Sequence, residues 1–178
     1  MFSANTGSAV HAAVNNPVTF TDTTFEGNVT GGDGGAVRSG APMTSITGGS
    51  ATGNEATGKG GAFAFSRPAT VIGVVVDGNQ AGADGGGISS TMALTIEAAT
   101  VSGNDSPGEG GGIWTETLTM ATSTVVENVA GLSGGGIHFR RAGDHITFDQ
   151  ARSPRPITNS SSTPYDSAGR LAIELRYR

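Results

Sequence analysis

The sequence predicts an all-β fold, a right-handed parallel β-helix (solenoid) of about 5–6 coils with about 25 residues in each coil. Glycine supplies 30 of the 178 residues, more than twice its average share of roughly 7%. Five Gly-Gly pairs recur at spacings of 26, 25, 25 and 24 residues, and their first glycines are Gly34, Gly60, Gly85, Gly110 and Gly134. An asparagine stands six residues before each pair, namely Asn28, Asn54, Asn79, Asn104 and Asn128.

Apolar residues in phase with these asparagines predict the strands of each coil. Positions ten, eight and three residues before the asparagine are mostly apolar, as Leu94, Ile96 and Val101 show for the coil of Asn104. A spacing of two is typical of a strand, and a further strand is expected at the apolar residue after each Gly-Gly pair. No window shows the 3.6-residue stripe of a helix. We therefore expect three short strands in each coil.

Glycine and asparagine are interpreted as structural devices of the coils rather than as ligand-binding residues. A unit of about 25 residues cannot bury its apolar face alone, but stacked coils bury a continuous core. Glycine supplies tight corners with positive φ. Asparagine tolerates the left-handed conformation, and its amide can bond to the equivalent asparagine of the next coil.

The N-terminus repeats the same pattern with a shorter connection. Residues 2–5 align with residues 25–28, and residues 7–10 align with residues 34–37, but the connection is four residues shorter. The chain therefore starts inside a coil, and residues 1–16 show no basic start or sustained apolar stretch of a secretory signal. We expect a fragment of a longer protein.

Composition divides the chain into repeats at 1–139 and an Arg/Pro/Ser-rich tail at 140–178. Residues 1–139 hold 28 of the 30 glycines and carry three basic and eleven acidic residues, a balance of −8. Residues 140–178 carry seven arginines and four acids, and we expect the tail to be partly capping or disordered, with a last strand or short helix at 171–175. The acidic body argues against nucleic acid as a partner. No transmembrane segment is predicted, because no run approaches 18 apolar residues.

Two motifs carry a family resemblance. Phe-x-x-Asn, at residues 2–5 and 25–28, and a Gly-Gly-Ala-Ile-like motif, at 34–37, 60–63, 85–88, 110–113 and 134–137, resemble the repeats of the polymorphic outer membrane proteins of chlamydiae. Related β-helix repeats in large surface proteins of other bacteria are also similar. The resemblance covers about residues 2–139. It implies a secreted, outer-membrane or cell-surface, autotransporter-like passenger that acts as an adhesin on host or neighbouring cell surfaces, through protein or glycan.

An acidic stripe lies directly before the Gly-Gly pairs. Its members are Asp33, Lys59, Asp84, Glu109 and Ser133. Stacked carboxylates about 5 Å apart repel one another unless a cation lies between them, so calcium at Asp33, Asp84 and Glu109 is one interpretation. A solvated turn is the other, and no other cofactor is predicted.

A second ladder, which we call the outward ladder, lies one residue beyond the apolar residue that follows each Gly-Gly pair. Its members are His11, Arg38, Ala64, Ser89, Trp114 and His138. Strand alternation turns these side chains away from the core. An exposed Trp114 beside His138 could stack on a sugar or a partner protein. Alternatively, Trp114 packs under the segment that follows Arg140.

Catalytic residues are not predicted. Glycosidases need two carboxylates about 5–10 Å apart with separated pKa values, and repeats bring acids to such distances by accident. Asp77, Glu97, Asp105 and Glu116 show no departure from the repeat period that would mark a site. The sequence leaves a carbohydrate-active β-helix, of lyase or hydrolase type, as the alternative to the adhesin. Its site would then lie at the acidic stripe or at Trp114.

Overall fold

The computed structural model describes residues 1–140 and 146–148. These residues form strands, turns and loops without a helix, so the described part contains no helix able to cross a membrane. In chain order the strands are β1 (Phe2–Ser3), β2 (Val10–Ala12), β3 (Val18–Glu26), β4 (Val29–Thr30), β5 (Val37–Ser39), β6 (Thr44–Thr52), β7 (Glu55–Ala56), β8 (Phe63–Phe65), β9 (Ala69–Ile72), β10 (Val75–Asp77), β11 (Gln80–Ala81), β12 (Ile88–Glu97), β13 (Thr100–Ser102), β14 (Asp105–Ser106), β15 (Ile113–Ala121), β16 (Thr124–Val126), β17 (Val129–Ala130), β18 (Ile137–Phe139) and β19 (Ile146–Phe148).

Every strand pairs in parallel with the equivalent strand of the next turn, which confirms a parallel β-solenoid of about six turns. The first face follows the Gly-Gly pairs and contains β2, β5, β8, the starts of β12 and β15, and β18. The second face contains the starts of β3 and β6, then β9, the ends of β12 and β15, and β19. The third contains β1, the ends of β3 and β6, then β10, β13 and β16.

A fourth set of strands was missed by the sequence analysis. β4, β7, β11, β14 and β17 form a separate five-stranded parallel sheet directly after the asparagines. Each of these strands is two residues long. The prediction of three strands in each coil was therefore wrong, because the coil contains this fourth strand. Two residues are too few to show an alternating pattern in the sequence.

The core follows the predicted columns of apolar residues. On the first face Phe63, Ile88 and Ile113 lie in register, and all three are fully buried. On the third face Phe25 stacks on Phe2 at 5.4 Å between ring centroids and meets Phe63 edge-on at 6.1 Å. Apolar side chains of three faces therefore meet inside the coil and supply the burial that a single repeat lacks.

Asparagine side chains form a continuous hydrogen-bonded ladder along the solenoid. Each Nδ2 donates to Oδ1 of the asparagine in the next coil at 2.7–2.9 Å. Each asparagine N–H donates to the same Oδ1 atom, and Nδ2 of Asn79 also donates to the carbonyl oxygen of Ala51. The ladder runs through Asn5, Asn28, Asn54, Asn79, Asn104 and Asn128. Most of these amides are fully buried, and the ladder satisfies their polar atoms.

The left-handed residue at this corner is not the asparagine, so that expectation was wrong. The preceding residue turns the chain instead, as Gly78 does with a φ of 62°. The last described coil uses Glu127 there, with a φ of 57°. Because the chain turns one residue earlier, the asparagine amide enters the interior, where it bonds to the next coil.

The two glycines of each pair are required for different reasons. Gly85 has a φ of 71°, a conformation that residues with a side chain rarely adopt. Gly86 instead faces the next coil, where an added Cβ would overlap the carbonyl oxygen of Gly111. One glycine makes the corner, and the other permits the coils to approach.

Removing one amide from the ladder is expected to destabilise the whole solenoid. Asn79→Ala should lower the free energy of unfolding by about 3 kcal/mol or more, because it removes the acceptor of the buried Asn54 backbone N–H and Nδ2 and one of the two donors to Asn104 Oδ1. Gln80→Ala, at an exposed neighbouring position, should change it by less than about 0.5 kcal/mol. Denaturant unfolding of both variants measures the difference, and equal stabilities would contradict a stabilising ladder.

The second glycine of the pair can be tested by adding one methyl group. Gly86→Ala should cost about 2–4 kcal/mol of stability, because the methyl overlaps the backbone of the next coil. Gly78→Ala is the contrasting control, since Gly78 has a left-handed φ of 62°, which Gly86 lacks, but no atom lies within 4 Å of its added Cβ. Its cost should be about 1 kcal/mol. A larger loss for Gly78→Ala in thermal or denaturant unfolding would argue against close coil contact as the constraint.

Candidate functional site

The acidic stripe and the outward ladder lie side by side and form one surface, here called the ladder face. The ammonium of Lys59, from the stripe, lies 4.1 Å from the ring centroid of Trp114, from the outward ladder. Glu109 Oε2 of the stripe lies 3.1 Å from Nε2 of His138 of the ladder. The two sets flank the same Gly-Gly corners, so the turn brings them together.

The C-terminal half of the ladder face is closed. Trp114 and His138 are each only 4% exposed, so the interpretation of an exposed Trp114 beside His138 is wrong, whereas most of the segment after Arg140, which the other interpretation places over the ring, lies outside the described residues. Lys59 covers the indole, and the guanidinium of Arg140 lies 5.8 Å from its centroid. Lys59 is also held by Asp84, with Nζ 2.8 Å from Oδ2. Lys59, from two coils earlier, and Arg140, from the next coil, thus reach the ring with long side chains, and cation–π attraction favours that arrangement.

His138 joins the fifth and sixth coils through a chain of polar contacts. Its Nδ1 lies 3.0 Å from the hydroxyl of Ser133, and its Nε2 contacts Glu109. The backbone of Glu109 also bridges that of Ser133. A Ser-His-Glu set has the composition of a nucleophilic relay, but Ser133 is only 7% exposed. These contacts link the two coils, and the Ser133 hydroxyl is largely covered from solvent.

The carboxylates proposed for calcium each have a donor within the protein. Asp33 Oδ1 accepts a hydrogen bond from the backbone N–H of Lys59 at 2.9 Å. Asp84 Oδ1 accepts one from the N–H of Glu109 at 3.1 Å, and its Oδ2 pairs with Lys59. Within residues 1–140, no three carboxylate or imidazole side chains are placed together to hold a metal ion. Calcium binding stays a prediction from the sequence.

The N-terminal half of the ladder face is open and contains a groove of about 300 Å³. Four titratable residues line it, His11, Asp33, Arg38 and Lys59. Hydroxyl and apolar side chains complete the lining, including Ser66, Thr91, Ala64 and Phe65. Along the outward ladder, Arg38 is followed in register by Ala64 and then by Ser89. Ala64 and Ser89 are small side chains between the larger Arg38 and Trp114, and this run of small residues leaves the space of the groove.

The groove concentrates the positive charge of an acidic body. Of the three basic residues within 1–139, Arg38 and Lys59 line the groove, whereas Arg67 does not. His11 and Arg38 are exposed, as the outward ladder predicts. Among the residues that the structure describes, none forms a hydrogen bond or ion pair with the Arg38 side chain. The groove therefore offers a cationic group that the fold does not use.

Sequence reasoning missed Lys59 as a member of the site and treated it as a break in the acidic stripe. It also missed Ser66 and Thr91, because they follow the strand of the first face where the repeat period is weakest. The spacing between the acidic stripe and the outward ladder could have indicated that Lys59 belongs to the site. The stripe and the outward ladder flank the same Gly-Gly pair, five residues apart, as Lys59 and Ala64 do.

Comparison with known proteins links this geometry to one repeat family. Residues 22–40 match the Chlamydia polymorphic membrane protein repeat. The matched segment contains Phe25, Asn28 and the first Gly-Gly pair, which are the residues that form core, ladder and corner in the structure. No curated protein and no solved structure matches the chain significantly.

Trp114 is the only tryptophan of the chain, so its fluorescence reports on the closed half of the ladder face. We expect emission well to the blue of free indole and weak quenching by acrylamide, because the ring is buried. Lys59→Ala should raise the quenching, since Lys59 covers the ring. Arg67→Ala, outside this contact, should leave it unchanged. Emission at the position of solvated indole in the folded chain would contradict the closed arrangement.

Proposed function

We propose that this chain is part of a cell-surface, autotransporter-like passenger that acts as a non-enzymatic binding module of adhesin type. The observation that carries the proposal is the match of residues 22–40 to a polymorphic membrane protein repeat within a parallel β-solenoid. The repeat family and the fold together indicate an outer-membrane or cell-surface protein. The adhesive role goes beyond this location and is argued from the surface of the solenoid.

The division between side chains that stabilise the solenoid and side chains that are left exposed supports a binding role. The asparagine amides and the Gly-Gly corners serve stacking, and the apolar columns fill the interior. Polar side chains free for partners therefore lie on outer faces, where the ladder face presents an exposed Arg38 beside an open groove. A stacked solenoid holds such groups on a rigid scaffold, which lowers the entropy cost of binding.

A carbohydrate-active β-helix is the competing proposal. It would need a free acid and base at the ladder face. Asp84 and Glu109 of the acidic stripe are engaged by Lys59 and His138, and Glu116, on the strand of Trp114, is engaged by Arg140. These contacts favour binding without cleavage over turnover.

The two proposals are separated by a screen that reads binding and cleavage at once. The full 178-residue chain, labelled with a fluorophore, is applied to host-type cells, to glycans and to polysaccharides, with and without Ca²⁺. We expect saturable binding without release of sugar fragments, because Asp84 and Glu109 of the ladder face are engaged by Lys59 and His138. Fragment release that disappears in Asp84→Asn would replace the adhesin with the enzyme, and binding to no surface at all would refute the adhesive role.

A further inference from the structure

We propose that the groove on the ladder face binds a carboxylated sugar residue of an acidic glycan, with Arg38 as the carboxylate-binding group. This inference rests on the proposed binding function and names its ligand class. Three features of the groove carry it: its charge, the chemistry of Arg38, and the size and lining of the space.

Charge complementarity favours an anionic ligand at this position. Residues 1–139 carry a balance of −8, so an acidic polymer is repelled from most of the body. Arg38 and Lys59 line the groove with one carboxylate, Asp33, and because Lys59 is paired with Asp84, Arg38 is the cation there that no acid compensates. Asp33 Oδ1 already accepts a hydrogen bond from the Lys59 backbone N–H, which turns that oxygen toward the protein. An acidic ligand is therefore accepted here and excluded from the surrounding surface.

Arg38 is the cation with unused binding capacity. Lys59 is shared between Asp84 and the Trp114 ring, whereas the Arg38 guanidinium has no partner among residues 1–140. Guanidinium presents its N–H donors in a planar fork that matches both oxygens of a carboxylate. His11 lies in register with Arg38 on the adjacent strand and adds an exposed imidazole beside the fork.

Size and lining favour a sugar as the carrier of this carboxylate. A volume of about 300 Å³ lies at the small end of ligand sites, which suits one or two sugar rings of a chain that continues into solvent. Ser66 and Thr91 offer hydroxyl groups, and the small Ala64 side chain leaves room for the carbon face of a ring. Mixed apolar and hydroxyl linings of this kind suit saccharides better than inorganic anions.

The test compares oligogalacturonate, its fully methyl-esterified form and dextran sulfate as ligands of the full chain in titration calorimetry at low salt. Oligogalacturonate should bind, the esterified form should bind at least about tenfold more weakly, and added salt should weaken binding. Arg38→Gln should reduce the affinity for oligogalacturonate by about tenfold or more. Arg38→Lys should reduce it by a smaller factor, because lysine keeps the positive charge but lacks the planar fork. Arg67→Gln removes a cation outside the groove and should change the affinity by less than about twofold.

Equal binding of the charged and esterified forms would overturn the proposal, and so would equal effects of Arg38→Gln and Arg67→Gln. Arg38-dependent binding of dextran sulfate without binding of oligogalacturonate would overturn the carboxylate assignment. Unchanged thermal unfolding of Arg38→Gln shows that the groove, not the fold, was altered. If the chain binds cells but no acidic sugar, the ligand class is wrong and the adhesive function stands. If it binds neither, the adhesive function itself fails.

Discussion

The close approach of successive coils is the constraint on which the rest of this structure depends. It is met where an asparagine amide bonds to the next asparagine and where the second glycine of each pair leaves room for a neighbouring carbonyl. A side chain at Gly86 would push the coils apart, and loss of the amide at Asn79 would leave buried polar atoms without partners. Parallel pairing of four sets of strands follows once these corners hold the spacing.

This constraint divides the repeat into residues that the fold requires and residues that it leaves free. Corners and inward columns keep their residue types from coil to coil, since a change there disturbs two neighbours. Outward positions have no such requirement, and they change from Arg38 to Ala64 to Trp114 along one ladder. Variation of this kind turns a regular face into one with a closed half and an open groove. Recognition in a solenoid therefore depends on the residues that break the repeat.

The closed and open halves of the ladder face are joined by one lysine. Lys59 lies over the Trp114 ring, pairs with Asp84, and lines the groove that contains Arg38. Its own backbone N–H donates to Asp33, so one lysine engages two carboxylates of the acidic stripe, which keeps a net negative charge. Beside the stripe, Arg38 is an exposed cation without a partner among the described residues. A local positive charge on an acidic protein favours specificity, because it attracts acidic partners to the groove and not to the rest of the surface.

The sequence by itself determined the period, the inward columns and the corner residues, since glycine, asparagine and apolar residues have distinct physical requirements that repeat at each coil. It could not reveal the two-residue strands, which are too short to alternate, or the left-handed residue before each asparagine. The burial of Trp114 and the groove at Arg38 were decided only by the tertiary structure. Whether an outward side chain is buried depends on residues about 25 positions or more away, as Lys59 over Trp114 shows. Strand alternation predicts which way a side chain points, but it does not predict which residues of other coils cover it.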